Sequence, residues 1–569
     1  MYMDIKVAIP DEKGRVFLHP IHNVTYVDYV YDRIYKPEKK YNIPKRTTIG
    51  KQCEDDPTMM NPNKNYLKYF PDEDLPEESS NAERSSCLRI GSYLVLKKIM
   101  HECKLEDMLV KVFDKDSGLF MNLAMYTIIT EGNAGQYYPD YAYSHPLMSD
   151  RMTIFSDSSI SEFLHSITVD QRIALLNKWN EERDRSERIY ISYDSTNKVC
   201  QSGDIALAEI GHAKNGDDKP VINYSIAYDR DNRDPLFYED YPGSIVDVSE
   251  LQYMLGKAEG YGYKNIGFIL DRGYFSRENI RYMDRCNYDF IIMCKGMRKL
   301  VSKLVLQVSG TFEEKRSTSI RSYRINGITV KDELFPSDER ERYFHIFYST
   351  GKHAAEREQL ENRIDRMSRT LKKMEGKSYV PDDNYLHYFK PIYWHEGQPD
   401  QIFQSFQENT AVIDREIKLC GYFVIITSAE MTAREAVNLY KSRDASEKLF
   451  RGDKAYLGDS TLRVQSTESA EAKILIEFVA LIIRNRMYAC LKDEVEKSEE
   501  RDNYMTVPAA LRELEKIEMV KQLDDVYRLD HALTKTQKTI LKAFQMDAGY
   551  IKEHAKQLSI QLSAVALGK

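Results

Sequence analysis

The stretch from Arg188 to Cys294 constrains the fold most tightly, because its apolar residues change period several times and each change marks a new element. Arg188-Ile-Tyr-Ile-Ser-Tyr-Asp194 is rich in β-branched and aromatic residues and reads as a strand that stops before the turn-forming Ser195-Thr196-Asn197. Ile205–His212, Val221–Tyr228 and Leu236–Tyr241 follow as two or three antiparallel strands, punctuated by Asn215-Gly216 and Asp231-Asn232. A helix over Val248 to Ala258 comes next, with Asp247 or Ser249 as its cap and Gly260 as its stop. Asn265-Ile-Gly-Phe-Ile-Leu270 is a short apolar run of buried-strand type, closed by the turn Asp271-Arg272-Gly273. A helix around Arg277–Arg285 leads to a strand over Asp289–Cys294. The expected product is a small mixed sheet wrapped by helices, with Asp194 and Asp271 at strand ends.

A third acid, Glu447, sits in Tyr440-x-x-Arg443-x-x-x-Glu447-x-x-x-x-x-x-Lys454, where the steps are 3, 4 and 7 residues. At about 100° per residue, those steps return all four side chains to nearly one azimuth if a single helix runs that far. A carboxylate flanked by phosphate-binding cations suits a metal-dependent phosphodiester enzyme where it grips a strand end. Each residue also has a plainer reading. Asp before Ser-Thr-Asn, or in Asp-Arg-Gly, is a turn residue. Arg443 and Glu447 have the spacing of a surface ion pair worth about 0.3–0.5 kcal/mol. The joint pattern carries the argument.

Four segments share that pattern: Tyr193-Asp194-Ser195-Thr196, Ile210-Gly211-His212-Ala213-Lys214-Asn215-Gly216, Leu270-Asp271-Arg272-Gly273-Tyr274-Phe275-Ser276 and the Tyr440–Lys454 stripe. In this order, over roughly Ile189 to Met487, they resemble the DDE transposases of bacterial insertion sequences that carry a Y-R-E-K signature, built on a ribonuclease-H-like core. The resemblance implies that Asp194, Asp271 and Glu447 form the catalytic, metal-binding triad for two divalent cations, Mg²⁺ with Mn²⁺ as a substitute. It implies that Tyr440, Arg443 and Lys454 hold phosphates beside the cleaved end, although Gly452 is placed to end the helix before Lys454. The implied reaction is cleavage at transposon ends and strand transfer, by in-line attack of water and then of a DNA 3′-hydroxyl, without a covalent enzyme–DNA intermediate. Two other readings use the same core: a catalytically silent, transposase-derived DNA-binding protein, and a nuclease that cuts without joining.

The expected fold is α/β of mixed α+β type, with the core interrupted by an insertion. Residues 1–84 form a β-rich, basic region ending in an acidic, Pro-containing connector from about Cys53; 85–180 are helical and, by the resemblance, bind the terminal inverted repeats. The core occupies 181–296 and 416–500, the insertion 297–415 and a helical tail 501–569. Within the insertion, Val305–Val308, Ile320–Ile325 and Tyr343–Tyr348 alternate like strands, and Leu360, Ile364, Met367, Leu371 and Met374 make a heptad-like helical stripe, packed on its own domain or between subunits. Gly421-Tyr-Phe-Val-Ile-Ile-Thr resumes a core strand, and Ser469–Met487 reads as a long apolar helix. Lys295, Arg298, Lys299 and Lys303 at the insertion's entrance are candidate backbone contacts for DNA, and Trp394 is a stacking candidate or a core residue. By the resemblance the insertion clamps the DNA end, and two protomers assemble on double-stranded DNA.

A net charge of −8 over 569 residues argues against DNA only if charge is evenly spread. It is not. Arg33, Lys36, Lys39, Lys40, Lys45, Arg46 and Lys51 cluster with Tyr31, Tyr35 and Tyr41, opposed by Asp32 and Glu38. Such a stretch tracks phosphates or lies as a solvated loop beside a hairpin. The 8 cysteines include no C-x-x-C pair, which excludes a familiar zinc or disulfide framework. Met1-Tyr-Met-Asp-Ile-Lys is too polar for a signal segment, and the apolar run Ile474–Ile483 is interrupted by Glu477. With a mean hydropathy of −0.55 and 30% charged residues, the expectation is a soluble, cytoplasmic prokaryotic protein that associates with the nucleoid when bound to DNA.

Overall fold

The computed structural model describes the chain except residues 1, 3–5, 22–23, 38–39, 54–55, 72–83, 184–187, 201–204, 211–218, 246, 295–297, 336–339, 400, 444–460, 498–502, 524–525 and 567–569, and the side chains of 194, 247–249, 298, 503 and 566. Two compact units emerge: residues 1–86 with 151–154 and 564–569, and residues 87–150 with 155–563.

The first unit is an antiparallel sheet of β1 (Val7–Ala8), β2 (Val16–Ile21), β3 (Val24–Lys36), β4 (Tyr41–Gln52) and β5 (Met59–Pro62), in the order β1-β5-β4-β3-β2. Helix α1 (Lys64–Tyr69), capped by the Asn63 side chain, packs Tyr66 onto a core of Val27, Tyr29, Ile49 and Met60. The expected connector therefore holds a strand and a helix in its first part. Beyond Val30 the paired strands β3 and β4 continue as a ribbon on which Tyr31, Ile34, Tyr35 and Tyr41 are exposed.

The second unit opens with β6 (Cys87–Arg89) and the helices α2 (Gly91–Glu102), α3 (Leu105–Phe113), α4 (Ser117–Thr130), α5 (Tyr138–Tyr143), α6 (Asp157–Ser166) and α7 (Val169–Glu181), within the region expected to be helical. Thr168 and Gln171 close a capping box at the start of α7. That helix buries Trp179, whose Nε1 donates to the Pro235 carbonyl at 2.8 Å and pins the helical layer to the sheet.

The sheet contains β7 (Ile189–Cys200), β8 (Glu209–Ile210), β9 (Pro220–Asp229), β10 (Asp234–Pro242), β11 (Ile266–Leu270) and β12 (Asp289–Met293), with α8 (Asp247–Gly260) and α9 (Arg277–Arg285) as crossovers. Its order β10-β9-β7-β11-β12 has β9 antiparallel to both neighbours, and β7, β11 and β12 parallel to one another. This is the expected ribonuclease-H-like arrangement. The local reading missed one boundary: β7 does not stop at Asp194 but runs through Ser195-Thr196-Asn197 to Cys200. Polar turn-formers stay extended there because β9 pairs with every one of them, Ser195 with Ser225, Thr196 with Tyr224 and Asn197 with Asn223. The strand expected over Ile205–His212 shortens to β8 among the described residues.

The insertion extends the same sheet. After α10 (Arg298–Val308) come β13 (Ser319–Ile320), β14 (Ile325–Glu333) and β15 (Glu341–Tyr348), and the order continues β12-β18-β15-β14-β13 through β18 (Tyr422–Thr427). Val305–Val308 is thus helical, not a strand. Leu300, Val301, Leu304, Val305 and Val308 have helical spacing and pack on the core, which a four-residue apolar window cannot reveal. Ile320–Ile325 is likewise two strands separated by a short helical turn. Helix α11 (Thr350–Lys372) packs Leu360, Ile364 and Leu371 in one core with Tyr388 of α12 (Asp383–Tyr388), Phe389 and Phe403 of the hairpin of β16 (Phe389–Trp394) with β17 (Ile402–Glu408), and Ile413 of α13 (Thr410–Leu419). The heptad-like stripe is therefore buried inside the insertion.

Helix α14 (Ala433–Lys441) follows β18; then come β19 (Thr461–Leu462), which pairs with β7, and α15 (Thr467–Lys497). Beyond α15 the chain adds α16 (Val507–Leu514), β20 (Glu518–Lys521), β21 (Tyr527–Leu529), α17 (Lys535–Lys542) and α18 (Ala548–Ala566), so the tail contributes strands as well as helices, β20 pairing with β6.

Strand alternation sorts the sheet into two faces. Phe268, Leu270, Phe290, Ile292, Val424 and Ile426 belong to the core shared with α8, α9 and α10, while Ile269, Ile291 and Ile425 belong to the core under α14.

Candidate active site

β11 lies parallel to β7 with Leu270 opposite Tyr193, so Asp271 and Asp194 occupy the next level on neighbouring strands, which are spaced about 4.8 Å apart. The level is held by a buried link. The Tyr274 hydroxyl donates to Ser195 Oγ at 2.9 Å, and its ring lies 4.9 Å from that of Tyr193. Asn279 Nδ2 in turn donates to the Tyr274 carbonyl at 3.1 Å, tying the turn after β11 to α9.

Asp271 has the parity of Ile269 and so faces the α14 side of the sheet. Its Oδ1 accepts the Arg272 backbone N–H at 2.7 Å and lies 2.9 Å from Arg443 Nη1. Helix α14 brings Arg443 there. A capping box of Thr432 and Glu435 starts the helix, and Ala436, Val437 and Tyr440 bury against Ile269, Ile291 and Ile425. The helix ends at Lys441; the Ser442 and Arg443 N–H groups still reach back to Asn438 and Tyr440 carbonyls, and the guanidinium lies 5.5 Å from the Tyr440 ring. Tyr440 and Arg443 are therefore neighbours, as expected, but Arg443 occupies the turn after the helix rather than a continuous stripe.

Glu447 and Lys454 lie outside the described residues, as do Lys39 and Lys295, and of Asp194 and Arg298 only the backbone is described. Among the described residues no group of three His, Cys, Asp or Glu side chains is placed to hold a metal ion. Trp394 ends β16 with about half of its surface exposed (51%), so it is not a core residue. Lys40, Lys45 and Arg46 belong to the ribbon of the first unit, where Lys45 pairs with Asp32 at 3.6 Å and Arg46 with Asp28 at 3.9 Å.

Sequence reasoning missed a buried ionic centre beside this face. Lys198, on β7, and Glu477, on α15, form a 2.6 Å ion pair with almost no solvent exposure, and Asn133 Nδ2 also donates to Glu477 at 3.1 Å. Lys473, one turn before Glu477, is pushed down to about 8 by burial, with Glu477 opposing that shift. The available signal was Glu477 itself: a carboxylate inside an apolar run requires a buried partner.

The family model for the transposase DDE domain matches residues 187–483, more than half of the chain. The chain belongs to the DDE transposase domain family. Its DDE domain thus spans the sheet, the insertion, α14 and the first half of α15, including all six residues singled out by the motif order. The chain is also similar to piggyBac transposase in a cryo-EM structure of its synaptic complex with hairpin DNA, at 9% identity and a TM-score of 0.35, over 83% of this chain and 85% of that one. That likeness is too remote to bear on residue roles. Among curated proteins, none matches the sequence.

Proposed function

We propose that this DDE transposase cleaves DNA at transposon ends and joins the freed 3′-hydroxyl to target DNA, using Asp194, Asp271 and Glu447 as its catalytic residues. The observation that carries this reading is the level placement of Asp194 and Asp271 on adjacent parallel strands, with Arg443 drawn onto Asp271. The donors suit a hard divalent cation: Asp271 Oδ2 makes no hydrogen bond among the described residues, so one oxygen remains for a metal while the other holds Arg443. The three carboxylates would hold two cations, Mg²⁺ or Mn²⁺, which when bound activate the attacking oxygen and stabilise the leaving one.

The protein's own groups do the positioning. Tyr274 and Ser195 tie β7 to the turn after β11, which holds the backbone at Asp194 and Asp271 on one level. Arg443 neutralises Asp271 until DNA arrives, then turns its guanidinium to a phosphate beside the cleaved end, with Tyr440 and Lys454 as its companions. Lys295, Arg298 and Trp394 contact DNA from the insertion; Lys39, Lys40, Lys45 and Arg46 do so from the basic ribbon. Residues 85–180 bind the terminal inverted repeats, and two protomers pair two ends. The site of action is DNA in a prokaryotic cytoplasm.

The test incubates the purified chain with a labelled end fragment and Mg²⁺ or Mn²⁺, the ends being identified as inverted repeats flanking the gene. Wild type should nick and join, while Asp194→Asn, Asp271→Asn and Glu447→Gln should each abolish both steps and leave DNA binding intact. Activity retained in any variant removes that residue from the site. Cutting without joining would point to the nuclease reading, and binding without cutting by wild type to the silent one.

A further inference from the structure

A second site lies beside the Lys198–Glu477 pair. A cavity of about 490 Å³ is walled by α4, α6, the turn over 135–137 and the start of α15, with Arg463 to Ser466 along its rim. That volume is within the usual range for a small-molecule site. Lys473 lines it, is only 6% exposed, and makes no hydrogen bond or close ion pair among the described residues. Asn133 also lines the cavity; its Nδ2 is used by Thr461 and Glu477, while its Oδ1 is buried without a partner.

Four charged side chains face this space, Asp157 and Glu477 against Lys473 and Arg463, and both carboxylates are already engaged. Glu477 is already held by Lys198 and Asn133. Asp157 accepts the Ser158 N–H at the start of α6, where a carboxylate is favoured by the helix dipole. Lys473 and Arg463 remain as two cations, with Arg463 close enough to disfavour the charge on Lys473. A buried amine with no direct ion pair of its own is costly, and an apolar residue would pack there more favourably. The rest of the lining selects among anions. Leu123, Ile160, Leu164 and Ile476 offer an apolar wall that a bare inorganic ion cannot use, and Asn133 Oδ1 needs a donor.

We propose that this cavity binds a phosphate-bearing nucleotide, with its phosphate on Lys473 and Arg463 and an amino group of its base donating to Asn133 Oδ1. The nucleotide is either free or the end of a DNA strand. Lys198 is four residues past Asp194 on β7, about 13 Å along an extended strand, which keeps a strand end within reach.

The intact chain, without divalent cation, is titrated calorimetrically with a deoxynucleoside 5′-monophosphate, with inorganic phosphate and with a short 5′-phosphorylated single strand. Wild type should bind the monophosphate or the strand end at least tenfold more tightly than inorganic phosphate; the tighter of the two identifies the source. Lys473→Met should weaken that binding at least tenfold without lowering the melting temperature, and Lys473→Arg should restore most of it. In the wild-type chain, saturating monophosphate or strand should protect Lys473 from an amine-acylating reagent, read by peptide mass spectrometry. The proposal is overturned by no binding of any probe, by inorganic phosphate binding as tightly as the others, by Lys473→Met binding like wild type, by Lys473→Arg losing as much as Lys473→Met, or by unprotected Lys473. None of these measurements involves Asp194, Asp271 or Glu447, so this outcome and that of the cleavage test are read separately.

Discussion

Among the described residues, Arg443 is the one proposed phosphate-binding residue that the structure places directly on a proposed catalytic carboxylate. Its ion pair with Asp271 is partly exposed and therefore worth little to stability, at most about 1 kcal/mol. In the proposed mechanism its value lies instead in the charge it would place beside a reacting phosphate. Arg443→Ala should leave thermal unfolding almost unchanged and slow strand cleavage by roughly 100-fold, the loss typical of a removed transition-state donor. Lysine at that position should recover only part of the rate, lacking the planar fork. Equal losses in stability and rate would assign the residue a structural role instead. At this scale the placement of Asp194 and Asp271 on strands was legible, because a carboxylate after a run of β-branched and aromatic residues stands out. The Lys198–Glu477 pair was not, since its partners lie on β7 and α15, far apart in sequence, and only the fold brings them together.

The elements that carry the site are held by packing and by polar links between strands. His345 on β15 hydrogen-bonds Thr329 of β14 at 2.9 Å and Thr427 of β18 at 2.9 Å, spanning three strands of the extension. Burial pushes its imidazole down to about 4 from an ordinary value of 6.5. The unfolded chain therefore takes up a proton at a pH where the fold still refuses it. This histidine costs no stability above pH 6.5; stability falls as pH drops from about 6.5 to 4, by about 3 kcal/mol in all. Denaturant melts at stepped pH should show that slope, and His345→Gln, which keeps hydrogen-bonding capacity, should remove its share. Long periodic segments such as α9, α11 and α15 were legible as elements. Short apolar runs were not: Val305–Val308 fits either period, and Ser195-Thr196-Asn197 extends only because β9 offers it partners.

For the whole molecule, net charge hides local polarity. The basic ribbon of β3 and β4 carries Arg33, Lys36, Lys40, Lys45 and Arg46 on backbone that buries little of its own surface, and an isolated two-stranded ribbon is marginal in water. Replacing Arg33, Lys36, Lys45 and Arg46 by alanine should weaken binding to end fragments and lower the magnitude of the log affinity versus log salt slope by roughly 3 to 4. An unchanged slope would leave the ribbon without phosphate contacts. The order of motifs foretold the sheet of the DDE domain, whereas the strands β20 and β21 of the tail, three or four residues each and paired partly with the distant β6, left no periodic trace.

The position of β18 has a consequence for how the chain is made. It hydrogen-bonds β12 on one side and β15 on the other, yet it is the last of the three to leave the ribosome, more than a hundred residues after β12. Until Thr427 has emerged, a nascent chain holds two bare strand edges awaiting a common partner, an open template for pairing with neighbouring polypeptides. Translation speed and chaperone supply across the insertion thus bear directly on the yield of folded enzyme.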